Sequence, residues 1–206
     1  MRFRLASHAL IAFVPLLVLV AFPRLALPAQ VESEWQIGLG GSLSSSYTYK
    51  KLHYSFGDFD YSFGHALVAS LSVTRKLGRN TALQTCADYF QQEQGSESVG
   101  MACMGIGVRA SFDPEERARP YLEMMPAVYA GRWSDDIRGN SITSVRPGLV
   151  AGMGIVGPLA GPIQFDLSLR GHLSAGWPAL RDSYLGSDEY HGVKRMTIGA
   201  RLIYGL

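Results

Sequence analysis

Arg170-Gly171-His172-Leu173-Ser174 is the stretch of this 206-residue chain whose residue types point most directly to chemistry. A histidine that can take the proton of a nearby serine begins a hydrolase site, and a carboxylate orienting the histidine completes it. The competing reading makes His172 and Ser174 ordinary interior side chains of one strand. Metal and nucleotide chemistry find less support. His53, His65, His172 and His191 show no ligand spacing, and two cysteines do not make a zinc knuckle. Gly152-Met153-Gly154-Ile155-Val156-Gly157 spells a GxGxxG-like string, but no helical pattern follows it. No metal and no cofactor is expected.

The elements that hold these residues begin with an export signal. Arg2 and Arg4 precede an apolar run of 14 residues, Ala9 to Phe22, and small Ala29 suits cleavage. A membrane-spanning helix needs about 20 apolar residues, so the run is read as a secretory signal. Residues 1–29 are expected to be removed, leaving 30–206 as one domain. The signal carries Arg2, Arg4 and Arg24 and no acid. The mature chain therefore has sixteen basic and seventeen acidic residues, a net charge of −1. A role on nucleic acid has no electrostatic support.

The mature chain alternates with period two. Trp35, Ile37, Leu39, Gly41 and Leu43 oppose Gln36, Gly38, Gly40, Ser42 and Ser44. Leu67, Ala69, Leu71 and Val73 oppose Ala66, Ser70, Ser72 and Thr74. Ile163, Phe165, Leu167, Leu169 and Leu173 oppose Gln164, Asp166, Ser168, Arg170 and His172. Successive strand residues face opposite ways, so each segment has one apolar and one small, polar face. A soluble barrel would bury the apolar face, around a cavity for an apolar ligand. The segments are longer than the usual 5–6 residues or so, and their polar faces are rich in Ser, Gly and Thr rather than Lys and Glu. Both features favour the inverted arrangement, an all-β, eight-stranded, antiparallel up-and-down transmembrane barrel with a side-chain-filled interior.

Strands are expected at 35–49, 61–75, 81–91, 98–112, 120–133, 144–156, 163–177 and 192–206. In the fifth, Leu122, Met124, Val128 and Ala130 are assigned to lipid, because the opposite choice would expose Glu123 there. Compact turns at 75–80, 113–119 and 157–162 alternate with longer loops at 50–60, 92–97, 134–143 and 178–191. Tyr47, Tyr49, Tyr61, Phe63, Tyr89, Tyr129 and Trp133 are expected at the loop-side interface, and Trp35, Phe112, Tyr121 and Tyr204 at the turn-side one. By parity Asp88, Arg109, Glu123, Arg146, Asp166, Arg170, Arg195 and Arg201 face inward, as an ion-paired plug or as the lining of a selective pore. Cys86 and Cys103 fall on consecutive strands about a turn at Gln94-Gly95. That places them opposite one another, as a disulfide in an oxidising compartment or as two free thiols.

The C-terminal Thr197, Gly199, Leu202 and Tyr204 resemble the terminal-strand signal of bacterial outer-membrane barrels, although the chain closes on Gly205-Leu206 rather than an aromatic. Thr74 to Leu83 and Arg119 to Gly131 are similar to turns and strands of the small OmpA/OmpX-like superfamily. The resemblance implies a bacterial outer-membrane location, contact with outer-membrane lipids and delivery by barrel-insertion machinery. His172 and Ser174 also resemble the His-x-Ser pair of lipid A deacylases, with Glu189 in the place of their glutamate and Ala175 where they have asparagine. That likeness implies a lipid-modifying hydrolase. The leading expectation is a monomeric, non-enzymatic structural or surface-interaction barrel, taking any surface ligand through loops 50–60, 134–143 and 178–191.

Overall fold

The computed structural model describes residues 34–54, 57–94, 97–112, 117–135, 140–175, 181–182, 186–190 and 193–206. The expected signal at 1–29 lies outside them. Among the described residues twelve strands run in chain order: β1 Trp35–Ser44, β2 Tyr47–Tyr54, β3 Gly57–Phe63, β4 Ala66–Lys76, β5 Thr81–Gln94, β6 Glu97–Ser111, β7 Arg119–Asp135, β8 Asn140–Ala160, β9 Ile163–Ser174, β10 Arg181–Asp182, β11 Gly186–Tyr190 and β12 Lys194–Gly205. Eight of them close a barrel in the order β1-β12-β9-β8-β7-β6-β5-β4, and every pairing is antiparallel. β12 completes the ring against β1 from Gln36↔Gly205 to Ser44↔Thr197. Each of the eight expected segments contains one barrel strand, and closure leaves the ring itself without a free edge strand.

The surface is inverted relative to a soluble protein. Outward residues include Leu39 at 62% exposure, Met124 at 61% and Ile198 at 65%, with Ile106, Leu122, Val128, Met153 and Leu202 also exposed. Gln84, Asp88, Glu123, Asp166, Arg170 and Arg201 are buried inside. Charged groups are almost never fully buried unless paired, and large contiguous apolar patches mark a surface that meets something other than water. The parity expected for β7 holds: Leu122, Met124, Val128 and Ala130 face out and Glu123 faces in.

Several expectations need correction. Strands 35–49 and 61–75 stop at Ser44 and begin at Ala66, because the ring pairing breaks at Ser45-Ser46 and Gly64-His65. The expected loop at 50–60 is a hairpin of β2 and β3, and the one at 178–191 contains β10 and β11. β11 pairs with β2 through Asp188↔Leu52, Glu189↔Lys51 and Tyr190↔Lys50, giving a four-stranded sheet β10-β11-β2-β3 on the loop side. The turn placed at 157–162 shrinks to Gly161-Pro162, with Gly161 at φ 53°, a conformation glycine adopts without steric cost. Tyr121 and Tyr129 are not interfacial aromatics. They are 1% and 0% exposed, inside the barrel, because their hydroxyls find polar partners there. Trp35, Phe112, Tyr204 and Tyr89 are exposed, as an interfacial girdle requires.

Candidate functional site

The lumen is the place where this chain concentrates polar chemistry. Its turn-side half is an ion-pair network. The Asp166 carboxylate accepts Arg109 Nη2 at 2.8 Å, Arg201 Nη2 at 2.7 Å and the Tyr121 hydroxyl at 2.6 Å. Arg109 stacks over the Tyr121 ring at 3.8 Å and also lies 3.6 Å from Glu123. Arg170 donates from Nε and Nη2 to the two oxygens of Glu123, and Nη1 reaches Asp88 at 3.4 Å. Glu123 and Asp166 thus pair with neighbouring arginines, and the interior-facing assignment holds for Asp88, Arg109, Glu123, Asp166, Arg170, Arg195 and Arg201, with Arg146 half-buried.

Two glycines of the GxGxxG-like string explain themselves here. A Cβ at Gly154 would meet the Tyr121 ring and the Leu167 carbonyl. One at Gly152 would meet Arg170, Glu123 and the Leu169 carbonyl. The string clears room in β8 for a tyrosine and a salt bridge, which is packing and not phosphate binding.

The loop-side half is mainly apolar, built on Val68, Phe90, Met101, Met125 and Val150 together with Cys86, Cys103 and Tyr129. Arg195 covers it, lying 4.3 Å over the Phe90 ring and donating to Gln92 Oε1, while Gln92 Nε2 bonds the Gly64 carbonyl. His172 sits inside this half at 1% exposure. Its Nδ1 is 3.3 Å from the Tyr129 hydroxyl, its Nε2 3.4 Å from Thr197 Oγ1 and 4.0 Å from Asp88 Oδ2.

The expected His-Ser-Glu arrangement is not assembled around the histidine. Ser174 Oγ donates to the Ala175 carbonyl at 3.1 Å and accepts from Val193 N at 2.8 Å, so its hydrogen bonds go to backbone and not to His172. Glu189 stands on β11, paired through its backbone with Lys51, in the sheet above the barrel and not in a loop. The cysteine register also needs correcting. Cys86 pairs with Gly105 and Cys103 with Asp88, because the hairpin turns between Gln94 and Glu97, one residue later than Gln94-Gly95. The two thiols are offset by two positions, and both are free and buried.

Sequence spacing missed a different grouping. Asp88, Cys103 and His172 each bring one ligand-type atom to within 4.8 Å of the others, all three buried. Asp88 and Cys103 are cross-strand partners on β5 and β6, while His172 comes from β9. β9 lies four places from β5 in a ring of eight, on the opposite wall. Only closure of the barrel brings positions 88, 103 and 172 together, so no linear spacing announces them.

No family model and no curated protein matches the chain. Solved structures do. The Neisserial surface protein A superposes with a TM-score of 0.56 at 13% identity, covering 86% of this chain and 100% of that one. The outer-membrane protein OprG of Pseudomonas aeruginosa gives 0.55 at 7% identity, over 87% and 100%. The N-terminal β-barrel domain of OprF from the same organism gives 0.51 at 11%, over 84% and 100%. At such identities the likeness is one of fold. The architecture, with its outward apolar face, is that of an integral outer-membrane β-barrel.

Proposed function

We propose that the chain is a non-catalytic, monomeric outer-membrane barrel that presents a stable surface for interaction at the loop side. The observation that carries this reading is the second sheet. Segments from two different loops, Tyr47–Phe63 and Gly186–Tyr190, are joined by backbone pairing instead of standing apart. Pairing through the backbone holds a surface in one shape at little entropic cost on binding, which suits recognition. In the barrel wall β7 runs to Asp135 and β8 starts at Asn140, so the described residues of 134–143 are strand. A filled, ion-paired lumen argues for a plug over a selective pore, and the separation of Ser174 from His172 argues against a deacylase-like reaction. Export through cleavage after Ala29, and insertion through recognition of β12, complete the proposal.

Fractionation with a heat-shift gel tests the placement. The protein should stay with the outer membrane and migrate faster unheated than boiled, and release by osmotic shock would refute it. In planar bilayers the purified barrel should show no steady conductance, whereas an ohmic current would restore the pore. An impermeant amine reagent on intact cells should modify Lys50 and Lys51 of β2, and their protection would remove the surface role. N-terminal sequencing of the mature protein should begin at Gln30.

A further inference from the structure

We infer that Asp88, Cys103 and His172 form a buried site for one divalent metal ion of borderline softness, Zn2+ foremost, inside the loop-side half of the lumen. The donor atoms of the three residues lie within 4.8 Å of one another. Ligand atoms around tetrahedral zinc stand about 3.5 Å apart, given metal–ligand lengths of roughly 2.0–2.3 Å, so a contraction of about an ångström assembles the site.

Asp88 is uncommitted, His172 Nε2 has one weak competitor, and Cys103 shares a hydrogen bond with the Tyr129 hydroxyl that metal binding replaces. Asp88 is 2% exposed, its Oδ1 has no hydrogen-bond partner, and Oδ2 has only the 3.4 Å contact with Arg170 Nη1. That arginine is engaged with both oxygens of Glu123. The histidine is oriented from behind. With the Tyr129 hydroxyl proton on the Leu149 carbonyl at 3.3 Å, its oxygen accepts from His172 Nδ1 and from the Cys103 thiol. This fixes the proton on Nδ1 and turns the Nε2 lone pair toward Asp88, with Thr197 Oγ1 at 3.4 Å the competing donor. A metal-bound histidine ordinarily gives its second N–H to such an acceptor.

The ion class follows from charge and ligand type. Cys103 loses its proton on binding, and Zn2+ with one thiolate, one carboxylate and one neutral imidazole is a neutral unit suited to an apolar surround. The guanidinium of Arg170 beside Asp88 opposes a hard cation held by a carboxylate alone. The thiolate and imidazole therefore select zinc over calcium or magnesium. Three protein donors leave a fourth position for water.

The test uses untagged mature protein refolded in detergent with ZnCl2 or CoCl2, desalted, and checked for folding by heat-shift gel. Elemental mass spectrometry should find close to one zinc per chain, and the cobalt form should show a thiolate-to-metal charge-transfer band. Cys103→Ser and His172→Gln should abolish both signals and Cys86→Ala should keep them. Tyr129→Phe should weaken affinity by about ten- to hundredfold. Should Cys103→Ser fail to fold, the wild-type cobalt spectrum still decides, because that band requires a thiolate ligand. Folded wild-type protein without stoichiometric metal, a cobalt form lacking the band, or a Cys86–Cys103 disulfide in protein isolated from cells would each overturn the site.

Discussion

Replacing Asp166 by alanine should be among the most damaging single changes in the barrel. The carboxylate is fully buried and answers two guanidiniums and a hydroxyl, from Arg109, Arg201 and Tyr121. Removing one partner of a buried pair leaves an uncompensated charge and costs about 3–5 kcal/mol. At about 1.4 kcal/mol per factor of ten, this is roughly a hundred- to several-thousandfold in the folding equilibrium. Arg109 keeps a contact with Glu123 at 3.6 Å, but Arg201 has no second ion pair among the described residues. Arg201→Met in the Asp166→Ala background should therefore recover part of the loss. If the damage came from the cavity alone, the second change would add to it.

Reversible urea unfolding in lipid vesicles, followed by tryptophan fluorescence and heat-shift gels, measures these differences. Glu34→Ala is the internal control. Its bond to Arg75 is 3.0 Å long but the side chains are 60% and 49% exposed, so the change should cost no more than about 1 kcal/mol. An Asp166→Ala variant as mild as this control, or a double variant worse than the single, would refute the plug as a set of obligatory charge pairs.

Ile198→Arg, on the exposed lipid face of β12, should cost about 2–4 kcal/mol in the same assay, and Ile198→Leu under about 1.5 kcal/mol; equal stability would invert the face assignment. Gly154→Val should cost about 1–3 kcal/mol by driving a side chain into Tyr121, and a neutral result would show that β8 does not press on that ring. His172→Ala and Ser174→Ala should leave the lipid A acylation pattern of whole cells unchanged by mass spectrometry. Loss of a deacylated species in both would bring the hydrolase back.

What was legible in the sequence is what a period of two can carry. Trp35-Gln36-Ile37 and Phe165-Asp166-Leu167-Ser168 state their faces outright, because each outward position meets lipid and each inward one a small or charged neighbour. In β7 the charge of Glu123 settled the parity, and Met125 and Ala127 then followed inward. The same parity put Tyr121 and Tyr129 inside. The general preference of aromatic rings for the interface competed with it and lost to specific partners, Asp166 and His172. The second sheet was not legible, since β2 and β11 lie more than 130 residues apart and pair through backbone groups that side-chain pattern does not report. The cysteines failed for another reason. In an antiparallel hairpin each one-residue displacement of the turn moves the pairing by two, so Cys86 meets Gly105 and not Cys103.

This sensitivity bears on how the barrel finds its register at all. Acyl chains accept any apolar side chain, so Leu39, Ile106 or Ile198 would be equally content two positions along. The outer face thus distinguishes odd from even registers but not one even register from the next. The lumen does distinguish them. Arg170 joins β9 to Asp88 on β5, Arg109 joins β6 to Asp166 on β9, and Arg201 joins β12 to the same carboxylate. A two-residue slip of any of these strands displaces its charge by about 6.5–7 Å. That exceeds the length of every one of these bonds and would part each guanidinium from its carboxylate inside the lumen. The buried pairs contribute little net stability against an apolar core of the same shape. Their effect is to make the neighbouring registers costly, which the lipid face cannot do.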